Sequence, residues 1–154
     1  MSEAAREAFD TFEARWRAAL EERARLILDV RPCGEMAGNH CEMGDQLSLA
    51  SGLKPIGFNW ELLDPEAAPD APRSASGVIA GALSHDMEFP QQEWLGEVAA
   101  LDCARDFLAL FGLDATFMSN RIEDYWNPLT SARIEWAFAG FDAGRAGLMV
   151  LARD

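Results

Sequence analysis

The chain has 154 residues, 49% of them hydrophobic and 10% aromatic, which is enough apolar material for one packed domain over residues 1–154 and too much for a disordered chain. Its 26 acids against 13 bases leave a net charge of -13, and this argues against nucleic acid or an anionic membrane as partner, because both demand clustered lysine and arginine. No stretch reaches the ~20 apolar residues of a membrane span or reads as a signal peptide, and Cys33, Cys41 and Cys103 follow no disulfide-framework spacing, so a cytoplasmic protein with reduced thiols is expected, a Cys33–Cys41 bridge remaining open.

In chain order, residues 2–30 read as one long amphipathic helix, with Phe9, Phe12, Trp16, Leu20, Ala24, Ile27 and Val30 recurring at steps of three and four before Pro32 and Gly34 stop it. The stretch RPCGEMAGNHCEMGDQ follows; Gly38 and Gly44 weaken a helix across it, leaving room for a short one over 41–50. Ile56, Phe58, Trp60 and Leu62 alternate with small or polar residues as in a half-buried strand, 64–77 is a proline-rich loop, and the apolar run 78–83 predicts a second strand. A helix from Pro90 to Gly112 carries Trp94, Val98, Leu101, Leu108 and Phe111, with Cys103 on its flank as a buried small residue.

The last forty residues read as three strands, TFMSNRIEDYW, ARIEWAFAGF and AGLMVLA, the last two joined by a hairpin at Asp142–Arg145 in which Gly144 tolerates positive φ. The expected fold is therefore α+β: a long N-terminal helix and a second central helix packed on one face of a largely antiparallel sheet of about five strands. The order helix, short helix, two strands, helix, three strands resembles that of NTF2-like domains, which implies a pocket between a curved sheet and its helices. In topology and acidity the chain also resembles the small chaperones of type III secretion, which implies a protein partner. Neither resemblance comes with a residue motif, so neither assigns a functional residue.

Four chemistries are open to these residues. His40, Cys41, Glu42 and His85 are ligand types for a divalent metal such as zinc, but His40 and Cys41 are neighbours and no standard ligand spacing is present. Cys33 or Cys41 could form a catalytic pair with His85 only through the fold, in a segment whose acids oppose a thiolate. Phe58, Trp60, Phe117, Trp136 and Phe138 could line a pocket with Tyr125, Asp124 or His85 as polar groups, although five tryptophans and nine phenylalanines more readily fill a solid core.

The remaining chemistry is partner binding. From Glu35 to Glu97 eleven acids face only Lys54 and Arg73 as bases, and Tyr125 and Trp126 sit at a turn, YWNP, of the kind that serves interfaces. The acids of the proline-rich loop do not follow phosphate-like intervals, which disfavours DNA mimicry. The sequence contains no P-loop, dinucleotide fingerprint, nucleophile elbow or HExxH motif. The reading it favours is a small acidic cytosolic accessory or adaptor protein that binds a basic or amphipathic protein without chemistry of its own. The alternative is a small pocket-containing enzyme or ligand-binding protein, metal-assisted through His40 and His85.

Overall fold

A computed structural model describes residues 1–123 and 125–154. Helix α1 (Glu3–Leu20) starts where the Ser2 hydroxyl accepts a hydrogen bond from the Ala5 N–H at 3.1 Å, and it buries Phe9, Phe12, Trp16 and Leu20. It stops ten residues short of the expected end. Residues Arg25–Pro32 form strand β1, in which Leu26, Leu28 and Val30 face one side and Ile27 the other. The run RLILDV fits either period, and pairing along the full length of the last strand decides it, from Arg25↔Ala152 to Pro32↔Arg145.

Helix α2 (His40–Ala50) is followed by a single 3-10 turn at Gly57–Asn59 and the short strand β2 (Glu61–Leu63). The strand expected over 56–62 is thus reduced to its end, because Trp60 turns inward while Phe58 is 89% exposed. The run expected as a second strand is instead helix α3 (Ala75–Ser84). The Ser74 hydroxyl caps it by accepting from the Gly77 N–H at 3.1 Å, and Ala75, Ile79, Ala82 and Leu83 are buried at helical spacing.

Helix α4 (Glu97–Leu108) begins later than Pro90. The N–H groups of Trp94 and Leu95 donate to the carbonyls of Ser84 and Leu83, so the preceding segment folds back to satisfy the end of α3. Gly96, at φ +81°, then turns the chain into α4.

Strands β3 (Thr116–Ser119), β4 (Ile134–Phe141) and β5 (Arg145–Arg153) complete a five-stranded antiparallel sheet of order β1-β5-β4-β3-β2. The β4–β5 hairpin forms as expected, but Gly144 is not among the glycines of positive φ. Its turn is held by the Asp142 carboxylate, which accepts from the N–H groups of Gly144 and Arg145 at 2.8 and 2.9 Å.

Both faces of the sheet are covered. Trp136, Phe138, Met149 and Leu151 pack against α1, α3 and α4, so the N-terminal and central helices share one face as expected. Ala137, Ala139, Leu148 and Val150 point the other way, against Cys41, Met43 and Leu47 of α2. On the three-helix face the paired glycines Gly140 and Gly147 leave space for rings: a Cβ on either would come within 2.8 Å of Phe117 or Phe111. There Phe9, Phe107, Phe111 and Phe117 meet edge to face or tilted at 5.3–6.5 Å. Among the described residues no helix is long and apolar enough to cross a membrane.

Candidate functional site

The N-terminus of α2 carries the first group of candidate ligands. Asn39 and Glu42 form a reciprocal capping box, which turns the Glu42 carboxylate back onto the Asn39 N–H at 3.2 Å. His40 Nε2 lies 3.4 Å from Cys41 Sγ and 3.3 Å from the Trp60 carbonyl oxygen. His85 follows α3 across the sheet, with Nδ1 3.1 Å from the Ser84 hydroxyl. The fold therefore joins His40 to Cys41 and leaves His85 on the opposite face. Among the described residues no three His, Cys, Asp or Glu side chains are grouped to hold a metal ion.

The thiols are free and buried. Cys33 donates to the Asp142 carbonyl at 3.1 Å, and burial followed by the Asp142 charge raises its pKa. Burial, helped by Asp106, pushes Cys103 up to about 12, so this thiol stays protonated and behaves as the expected core residue. The aromatic residues considered for one pocket are dispersed. Phe117, Trp136 and Phe138 lie on the three-helix face, Trp60 lies on the α2 face, and Phe58 is in solvent.

The loop bearing Tyr125 and Trp126 is anchored by Glu135. This fully buried carboxylate accepts from the N–H groups of Leu129 and Thr130, both at 2.9 Å, from the Thr130 hydroxyl at 2.6 Å and from the Asn120 amide at 3.2 Å. The Arg121 guanidinium lies 3.9 Å from the Trp136 ring centroid and 5.4 Å from that of Trp126. Trp126 thus covers a buried arginine and is only partly available, whereas Tyr125 is 80% exposed. Asp124, considered beside it, lies outside the described residues.

Charge is distributed unevenly. Arg15, Arg17, Arg23, Arg25, Arg31, Arg73, Arg133, Arg145 and Arg153 are all engaged in ion pairs. The most enclosed pairing is at Asp86, which bonds Arg153 at 2.5 Å, Arg23 at 3.1 Å and the N–H groups of Glu88 and Phe89, both at 2.9 Å. Burial alone would raise its pKa, but these donors bring it down to about 2. By contrast Asp64, Glu66, Asp70, Glu93 and Glu97 are exposed and in no ion pair among the described residues.

Of the aromatic residues considered for a pocket, Trp136 borders a groove: two open ones flank the outer side of α3. One, of about 470 Å³, runs between α3, α4 and the proline-rich loop; its walls include Pro69, Asp70, Glu97 and Leu101. The other, of about 280 Å³, is bounded by Pro72, Ile122 and Trp136. Pro69, Gly77 and Gly81 border both. The one sequence sign of this surface is the spacing of Gly77 and Gly81, four residues apart, which places both on one face of a helix.

No family model, no curated protein and no solved structure matches the chain. The resemblance to NTF2-like domains gains no support from a solved neighbour. The observed order also departs from the one that suggested it, with β1 directly after α1 and α3 in place of a strand.

Proposed function

We propose that the protein is a small acidic cytoplasmic accessory protein that binds a basic or amphipathic protein partner and carries no chemistry of its own. The observation that supports this reading is the state of its charges. Most arginines are neutralised by ion pairs within the fold, while Asp64, Glu66, Asp70, Glu93 and Glu97 stand exposed and in no ion pair among the described residues. An uncompensated field of this kind accelerates encounter with a positively charged partner and repels acidic ones. Tyr125 supplies an exposed amphipathic contact on a loop whose far end Glu135 holds through Leu129 and Thr130.

The test is affinity capture from cell extract by the immobilised protein across a salt series. Alongside it run Tyr125→Ala, a variant with Asp64, Glu66, Asp70 and Glu93 replaced by lysine, and an unrelated protein of similar charge. The expected result is a discrete basic protein that is lost at high salt, lost in the lysine variant and reduced by Tyr125→Ala. Recovery of nothing, or of the same proteins that the unrelated acidic control retains, would overturn the proposal.

A further inference from the structure

Two glycines of α3 face outward, and only one is required by the fold. A Cβ on Gly77 would come within 2.1 Å of the Pro69 carbonyl oxygen, so the approach of the proline-rich loop imposes glycine there. A Cβ on Gly81 would have nothing within 4 Å. Gly81 lies in the helix interior and has no positive φ, so it destabilises α3 relative to alanine and relieves no contact among the described residues. The absent side chain leaves an open floor where the two grooves meet.

The surroundings indicate what would lie on that floor. The walls are apolar, formed by Pro69, Leu101 and Trp136, and among the described residues neither groove is lined by a lysine or arginine. Asp70 and Glu97 stand on the rim, exposed and without an ion pair among the described residues. Val98, beside Glu97, is 80% exposed. A second copy of the chain, at net charge -13, would bring acid against acid.

We infer that this groove seats a basic amphipathic helix of the partner protein, with an apolar side chain over Gly81 and lysine or arginine facing Asp70 and Glu97; the inference rests on the accessory-protein reading above. The floor of Gly77, Ala80, Gly81 and Ser84 follows the turns of α3, and such a surface admits another helix at close range.

The probe is a fluorescein-labelled synthetic helix with leucines on one face and lysines on the other, read by anisotropy at low salt. A leucine–glutamate helix is the control. The wild type is expected to bind the lysine helix and not the glutamate helix. Gly81→Leu should weaken binding by about tenfold or more by filling the floor. Gly81→Ala should weaken it less while raising the melting temperature by about 2–4 °C, a combination that a merely structural glycine would not produce. The Asp70→Asn, Glu97→Gln double variant should bind more weakly and with a shallower salt dependence.

Unchanged binding by Gly81→Leu would overturn the groove assignment. If that same binding falls in Tyr125→Ala, the partner reading survives at the other patch. Absence of binding by wild type would also overturn the groove, leaving the capture experiment to judge the accessory role independently.

Discussion

Asp86 is a charge whose meaning depends on two distant elements. In the sequence it stands beside His85 as one of the eleven acids from Glu35 to Glu97. In the fold it ties the α1–β1 turn, the end of β5 and the 86–92 segment together through Arg23, Arg153 and two backbone N–H groups. Its pKa of about 2 lies below the ordinary 3.8, so the charged form is preferred in the folded state. Its stabilisation is fully present above about pH 4 and is lost as the pH falls towards 2. Asp86→Asn should therefore cost about 2 kcal/mol at neutral pH and flatten the fall of the denaturant midpoint across that acid window. An equally steep fall in the variant would show that other carboxylates carry the acid sensitivity.

The elements divide by whether their apolar pattern had one reading or two. The first turns of α1 and the β4–β5 hairpin were legible from apolar period and turn residues, and the sequence leaves room for a short helix over 41–50 despite its glycines. Residues 25–32 and 75–84 were not legible, since a short apolar run suits a strand or a buried helix until a partner is known. Pairing with β5 made the first a strand, and the Ser74 cap with one-sided burial made the second a helix.

Glycines show the same dependence on context. Gly44 looks like a defect in α2, but a Cβ there would come within 2.6 Å of the Trp60 indole, which Asp45 holds through its N–H at 3.0 Å. Gly44→Ala should destabilise the protein by about 1–3 kcal/mol through overpacking, opposite in sign to Gly81→Ala on α3. Chemical denaturation of the two variants side by side measures this contrast. Destabilisation of both would place Gly81 in the packing as well.

For the whole molecule, a charge of -13 on a surface whose cations are largely paired gives net self-repulsion. Raising ionic strength from about 0.01 M to about 0.15 M shortens the screening length from about 30 to 8 Å and should raise the melting temperature. The same salt should weaken association with a basic probe. A melting temperature that falls over this range would mean that the internal ion pairs outweigh the repulsion.

Composition and periodicity alone established an α+β chain with a filled aromatic core, an acidic middle, an amphipathic first helix and a terminal hairpin, because these follow from local spacing and summed charge. Only the tertiary structure decided that α2 covers the second face of the sheet, that His40 meets Cys41 while His85 lies across the sheet, and that Gly77 is imposed by a loop while Gly81 faces open space. Those outcomes depend on which distant segments touch. Long-range pairing and close packing set that, and no window of neighbouring residues contains the information.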